Sequence, residues 1–326
     1  MDSETSTTFI VTFIVLQLIG AFLFFLILLS AWLSRGARRH RIFFSFCCAW
    51  IVYAISYSLL TLAGEQFRPE PNRILCVIQA SLIYAVPFLV MGASLGMTVH
   101  LLLNVLSSLK PLEVKKHGHP TLIKVLLTLP WLIWTGMFIG VLLFGLLHQQ
   151  QVAVSPNGTY CVIQDTSIPK ITAISVTVGG ISVIGTEVMI GILLYRNLAM
   201  ADIFGNALGT AIRILLFTII GFGALSTGIV FAVTRSRGVQ FDVIIAILPP
   251  AAALTFGTQK DLLMGWRRRQ LAAQPVIPQD RTLILTSVNS FASRESDIHE
   301  LGIPNEASRP HTPIPLPSEA TSFLHF

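Results

Sequence analysis

Apolar residues along the chain are concentrated in seven long blocks, which shorter polar segments separate. Each block is close to or longer than the ~20 residues that an α-helix needs to cross about 30 Å of hydrocarbon. The pattern predicts an all-α membrane protein built as a seven-transmembrane helix bundle. The blocks cover residues 8–34, 42–64, 75–106, 122–147, 171–195, 208–234 and 241–258.

The overall composition agrees with this pattern. The chain is 53% hydrophobic and 12% charged over its 326 residues. A soluble domain of that length needs about twice as many charged residues to cover its surface. The composition therefore excludes a soluble globular protein and favours one that lies largely in lipid.

Lysine and arginine are distributed unevenly among the segments that join the blocks. Twelve lie in the first, third and fifth connections and after the seventh block, against five in the other connections. Because basic residues concentrate on the cytoplasmic side of membrane proteins, the sequence predicts an outside amino terminus and a cytosolic carboxy terminus in a multi-pass plasma-membrane protein. No nucleic-acid partner is expected, since the charges flank the apolar blocks.

The distribution of apolar and polar residues divides the chain into four parts. Residues 1–7 form a short extracellular amino terminus, and residues 8–258 form the helix bundle. Residues 259–271 are predicted to be a basic amphipathic segment that contacts lipids at the cytosolic membrane face. Residues 272–326 are rich in Ser, Thr and Pro, which predicts a disordered cytosolic tail.

Two of the four cysteines fall on the predicted outer side. Cys76 opens the third block, and Cys161 lies in the connection between the fourth and fifth blocks. Since the outside is oxidising, we expect a disulfide that holds this connection over the mouth of the bundle; two unrelated thiols are the alternative. In the same connection, Asn157, Gly158 and Thr159 form an acceptor sequence for glycosylation of Asn157.

These features together resemble the architecture of G-protein-coupled receptors over residues 8–269. The end of the seventh block, residues 256–263 (FGTQKDLL) followed by Trp266, resembles the same stretch in seven-helix receptor-like proteins of mushroom-forming fungi, a largely orphan group. A similarity to fungal lipopeptide-pheromone receptors is more distant. The resemblance implies a receptor that passes an outside small-molecule or peptide ligand to a heterotrimeric G protein.

The chain departs from rhodopsin-like receptors at two places. The third block ends in residues 99–104 (VHLLLN) without an acidic-arginine pair, and residues 248–252 (LPPAA) stand where such receptors carry Asn-Pro-x-x-Tyr. This argues for a fungal rather than an animal-type receptor. G-protein contacts are expected in two basic clusters, which serve equally well as topology determinants and lipid contacts: Lys115, Lys116, Arg267, Arg268 and Arg269.

Ionisable side chains within the apolar blocks are few, and each is costly to insert into a membrane. His100, Glu187 and Arg213 fall at similar predicted depth. We hypothesise that an Arg213–Glu187 ion pair holds the fifth and sixth helices together and breaks on activation. The alternative is a protonated or hydrated Glu187, with Arg213 extended to the phosphate layer. Pro249 and Pro250 interrupt the seventh block and are candidates for a hinge.

Polar residues near the predicted outer ends of the helices are candidates for ligand binding beneath the pinned connection. An interfacial tyrosine or a loop-facing aspartate also has a purely structural explanation. The candidates are Gln79, Tyr84, Thr172, Ser175, Gln240 and Asp242.

Other seven-helix classes fit the sequence less well. A retinal-binding pump needs a lysine in the middle of the seventh block, where there is none, and a zinc hydrolase needs three or more ligands in the membrane. We therefore expect no enzymatic activity, no metal and no cofactor. A small seven-helix transporter of an uncharged or weakly charged solute stays the alternative function, although no internal repeat is evident.

Overall fold

The computed structural model describes residues 3–33, 40–68, 70–109, 120–164, 167–196 and 239–257, and seven helical residues between 215 and 226. Several predicted features lie outside the described residues. These are Arg213, the basic residues Lys115, Lys116, Arg267, Arg268 and Arg269, and the two cytosolic segments 259–271 and 272–326.

The described part of the chain is mostly helical. Its long helices are α1 (Ser3–Leu33), α2 (Arg41–Leu62), α3 (Arg73–Leu109), α4 (Pro120–Leu147), α5 (Ile168–Arg196) and α6 (Val239–Gly257). The first five are long and apolar enough to cross a membrane, and α6 contains a shorter apolar stretch, Asp242–Gly257. This confirms a helical protein of the multi-pass membrane type.

The helices match six of the seven predicted apolar blocks within a few residues. The largest difference is at the amino terminus, where α1 begins at Ser3 instead of residue 8 and takes in most of the predicted tail. The chain turns sharply after α2, because Gly64 adopts a φ of +74°, which favours glycine. The Gly64 and Glu65 amides donate to the carbonyls of Thr61 and Leu60, which closes the helix end in a Schellman motif.

Helix α3 lies at the centre of the described bundle. It packs against α2, α4 and α5, while α1 packs against α2 and α6. Aromatic rings fill the core between α1, α2 and α6: Phe24 stacks on Trp50 with ring centroids 5.9 Å apart, and Phe46 meets Phe256 at 4.8 Å. The core therefore joins the beginning of the chain to its last described helix.

Helices α4 and α5 present most of their apolar surface outward. Only 11% of the most apolar window is buried in each of them, against 61% in α2 and in α3. Large aliphatic side chains such as Leu132, Ile174 and Ile181 are exposed. A surface of this kind is unfavourable in water and suits the hydrocarbon of a bilayer.

Two glycines of α3 allow a close approach to α4. A Cβ atom built on Gly92 would lie 2.9 Å from the Pro130 Cβ, and one on Gly96 would lie 3.3 Å from the Leu126 carbonyl. Gly92 and Gly96 thus allow α3 to pack closely on α4, as small residues do in membranes. A Cβ atom built on Gly136 or Gly140 of α4 would meet nothing within 4 Å among the described residues.

The double proline of α6 is docked on α1. Pro249 has no backbone N–H, so the carbonyl of Ile245, four residues earlier, loses its intrahelical donor. The buried Gln17 side chain supplies one, with its Nε2 donating to the Ile245 oxygen at 3.2 Å. A side chain on Gly20 would collide with Pro249 and crowd Pro250. The prolines thus lie within a continuous helix, braced by Gln17 and Gly20.

Candidate functional site

A short β-hairpin covers one end of the helix bundle. Its strands are β1 (Val152–Val154) and β2 (Cys161–Ile163), which pair antiparallel with Val152 opposite Ile163 and Val154 opposite Cys161. The hairpin tip, Ser155–Tyr160, closes with the Ser155 amide donating to the Tyr160 carbonyl at 2.7 Å. Gly158 has a φ of +72°, a conformation that costs glycine little. We call this end of the bundle the hairpin end.

The two paired strands below the tip, which we call the hairpin base, are attached to α3 by a disulfide and by Gln79. Cys76 and Cys161 are bonded, as predicted. The Gln79 Oε1 accepts from the Cys161 amide at 3.0 Å, while its Nε2 lies 3.3 and 3.2 Å from the carbonyls of Ser56 and Tyr57 on α2. Gln79 is fully buried. The side chain joins two helices to the hairpin, and the ligand-binding role expected of Gln79 stays a prediction.

The hairpin tip is attached to α6 by Asp242. Its Oδ2 accepts from the Asn157 Nδ2 at 2.8 Å and from the Thr159 hydroxyl at 3.0 Å, and its Oδ1 accepts from the Tyr160 hydroxyl at 2.7 Å. Asp242 and Thr159 are buried. Asp242 therefore fastens the hairpin tip to α6, while its predicted ligand contact stays a prediction. We refer to Asp242, Asn157, Thr159 and Tyr160 as the Asp242 clasp.

Gln66 supports the tip from the other side. Its Nε2 donates to the Gly158 carbonyl at 2.7 Å, and its Oε1 accepts from the Thr61 hydroxyl at 3.0 Å. The predicted glycosylation sequence lies between these supports, with the Asn157 amide turned to Asp242 and the Thr159 side chain fully buried. Glycosylation of Asn157 stays a prediction, and the sequence has a structural role of its own.

A cavity of about 240 Å³ lies beneath the hairpin. Side chains from α2, α3, α5, α6, the hairpin and the helical residues near Thr218 line it. Of the ligand candidates, Tyr84 and Thr172 are on its wall, but Ser175 is not among the lining residues. Gln240 lies in the first turn of α6, and its side chain is outside the described part. The sequence thus identified two residues of the wall.

Tyr84 and Thr172 also connect the cavity wall to the hairpin. The Tyr84 hydroxyl donates to the Ile163 carbonyl at 3.3 Å, and the Thr172 hydroxyl donates to the Tyr84 carbonyl at 3.3 Å. Tyr160 and Val162 of the hairpin complete the roof. A molecule in the cavity would therefore contact the hairpin and several helices at once.

Ser94 on α3 was not predicted from the sequence. It lines the cavity, is 5% exposed, and its hydroxyl has no hydrogen-bond partner among the described residues. A buried polar group without a partner costs about 1–3 kcal/mol. The sequence does not indicate that this hydroxyl is unpaired, because serines in helices commonly donate a hydrogen bond to the backbone of their own helix.

Glu187 and His100, two of the predicted switch residues, have hydrogen-bond partners in the described part of the chain. Glu187 accepts a hydrogen bond from Thr218, a cavity-lining residue of the sixth block. The His100 ring packs on the His40 ring, with centroids 4.2 Å apart, and its Nδ1 lies 3.2 Å from the Asn104 Nδ2. His40 precedes α2, where burial and then the Arg41 charge lower the pKa of its imidazole. The Arg213–Glu187 pair stays a prediction, since Arg213 is not described.

Comparisons with known proteins add no relative. No protein-family model matches the chain, and no curated protein matches its sequence. The function is therefore argued from the cavity and the elements around it.

Proposed function

We propose that the chain is a seven-helix, G-protein-coupled-receptor-like protein of the plasma membrane. Its amino terminus and hairpin end face outside, and an extracellular ligand that occupies the cavity is signalled to a heterotrimeric G protein. The protein acts without catalysis and without a cofactor. The observation that carries the proposal is the cavity itself, whose wall is shared by four helices, the hairpin and the sixth block.

A shared wall is what a ligand-operated switch requires. A ligand shifts a conformational equilibrium only through contacts that differ between the two states, and small helix displacements are a common form of such a change. An occupant of this cavity touches α2, α3, α5 and α6 together. It can therefore favour one arrangement of these helices over another.

The hairpin gives that motion a fixed reference. Its base is bonded covalently to α3, and its tip is attached to α6 through Asp242. A displacement of α6 relative to α3 must strain or break the Asp242 clasp. The clasp therefore favours the observed arrangement of α3 and α6, and a ligand that displaces α6 has to overcome it.

The proposal assigns G-protein contact to basic residues at the opposite, cytosolic end. Two clusters supply them, and both also attract anionic lipids: Lys115 and Lys116 before α4, and Arg267, Arg268 and Arg269 after α6. Near the cavity, Thr218 donates a hydrogen bond to Glu187. A ligand that contacts Thr218 can therefore change the hydrogen bond of the Glu187 carboxyl group. An Arg213–Glu187 pair would extend this link between the fifth and sixth helices.

The proposal is tested in cells that express the chain with labelled heterotrimers of each Gα class. Heterotrimer dissociation is recorded while a compound library is added, and uptake of the same compounds is measured in parallel. We expect ligand-dependent dissociation that disappears when Lys115 and Lys116 are both replaced by Ala. Uptake of a compound without heterotrimer dissociation would contradict the receptor proposal and favour the transporter.

A further inference from the structure

The wall of the cavity is apolar and aromatic. Of the described residues that line it, none is acidic or basic. The wall consists of Trp, Tyr, Phe, Pro, Met and small or branched aliphatic side chains, with a few hydroxyl groups. An ion placed among such groups loses its water without gaining a charged partner, which is strongly unfavourable. The wall therefore selects against ionised ligands.

A carboxyl group close to the cavity does not change this. Glu187 is not among the lining residues, and Thr218 stands on the wall as its hydrogen-bond donor. The Thr218 hydroxyl donates to Glu187, so at this point the described wall carries a hydroxyl group and not a charge. A cationic ligand would have to displace Thr218 to pair with Glu187.

Ser94 supplies a buried hydroxyl group on this wall that a ligand can pair with. Its hydroxyl is buried at the wall and has no partner among the described residues. A hydroxyl both donates and accepts a hydrogen bond, so it pairs with an alcohol, a carbonyl or an ether oxygen of a ligand. One such group on an otherwise apolar molecule would satisfy Ser94 and leave the remaining wall in apolar contact.

The volume limits the size of that molecule. A cavity of about 150 Å³ in a protein core holds benzene. The cavity of about 240 Å³ here therefore has room for roughly ten non-hydrogen atoms. A ligand enclosed by this volume is therefore much smaller than a peptide or a whole lipid.

We infer that the cavity binds an uncharged, compact, largely apolar molecule with one hydrogen-bonding oxygen, which pairs with the Ser94 hydroxyl. This inference rests on the proposed function, because it names the ligand class of the same cavity. It narrows the ligand from any small molecule or peptide to neutral alcohols, ketones and ethers of about ten non-hydrogen atoms.

The inference is tested by photolabelling of the full chain in lipid nanodiscs. The probe is 3-azioctanol, an eight-carbon alcohol whose diazirine loses N₂ on irradiation and whose carbene then inserts into a bond of the protein. Labelled peptides are identified by mass spectrometry, which separates cavity labelling from labelling of the lipid-facing sides of α4 and α5. Octanol, octanoate and octylammonium compete at equal concentration at pH 7.

We expect labelling of cavity-lining peptides of α3 and α5, and protection of them by octanol. Octanoate and octylammonium should protect at least about tenfold less well, because the wall offers them no charged partner. Ser94→Ala should weaken protection by octanol about fivefold, as expected for one neutral hydrogen bond. The matched control Ser182→Ala removes an exposed hydroxyl from α5 that is not among the lining residues and should stay within about twofold of wild type.

Three results would overturn the inference. They are equal protection by a charged competitor, labelling confined to the lipid-facing surfaces, and equal protection of Ser94→Ala and Ser182→Ala. The same experiment separates the inference from the proposed function. Cavity labelling with this selectivity but without any G-protein response would support the ligand class and refute the receptor. A G-protein response to charged ligands would support the receptor and refute the ligand class.

Discussion

Replacing Asp242 by Ala tests whether the hairpin tip depends on α6. Asp242 accepts hydrogen bonds from Asn157, Thr159 and Tyr160. The base of the hairpin is held separately, by the disulfide and by Gln79. The variant should therefore loosen the tip and leave the base in place.

The magnitude follows from the burial of the three donors. Thr159 and Tyr160 are 0% and 3% exposed, so both lose an acceptor in a region closed to water. A stranded buried donor costs about 1–3 kcal/mol. Asn157 is only half-buried, and water replaces its lost acceptor at small cost. Because the Thr159 hydroxyl also lies 3.1 Å from the Ser155 hydroxyl, we expect a total of about 3 kcal/mol.

Hydrogen exchange measures this loss directly. A change of about 3 kcal/mol in the opening free energy speeds exchange roughly 100-fold. We expect that acceleration for the tip amides of Ser155, Gly158 and Thr159, whereas the Cys161 and Gln164 amides at the base should change less than about threefold. Glu70→Gln, which alters an exposed carboxyl group on the loop between α2 and α3, is the matched control. Unchanged exchange at the tip, or equal acceleration of tip and base, would refute the separate attachment.

Further predictions concern the other attachments. Gly20→Ala should lower the midpoint of thermal unfolding by several degrees, because the added methyl group collides with the double proline. The control Gly136→Ala adds a methyl group in open space and should leave the midpoint unchanged. Equal midpoints for the two variants would contradict the docking of α6 on α1. Gln17→Leu should cost about 1–3 kcal/mol in a denaturant titration, because the Ile245 carbonyl loses its donor; an unchanged titration would exclude that role. Cys76→Ser should speed exchange at the hairpin base and spare the tip; acceleration at the tip alone would be contrary to the structure.

Hydrophobic pattern alone was sufficient to predict the long helices. Six blocks coincide with helices, because a run of apolar residues of that length has few other stable forms in a membrane. The hairpin was missed, although its signal is present. Pro156, Asn157 and Gly158 form a turn sequence between two short stretches rich in β-branched residues, 152–154 and 161–163.

The cavity was only partly predictable, since its wall depends on the rotation of each helix. Tyr84 and Thr172 were identified because polar groups near helix ends are few, but the same criterion selected Gln79 and Asp242, whose hydrogen bonds hold the hairpin. Their partners are 80 or more residues distant in sequence, and no local pattern marks such contacts. Ser94 could not be predicted, because its position on the wall depends on the rotation of α3.

The central claim is that occupancy of the cavity is coupled to G-protein binding. Coupling between two sites is reciprocal. Addition of the heterotrimer to the chain in nanodiscs should therefore change the affinity of the cavity for octanol. The measured quantity is the octanol concentration that protects the cavity from labelling by 3-azioctanol. We expect a change of about 5-fold or more with at least one Gα class, and its loss when Lys115 and Lys116 are replaced by Ala. An octanol concentration for protection that stays the same with every heterotrimer would contradict the claim.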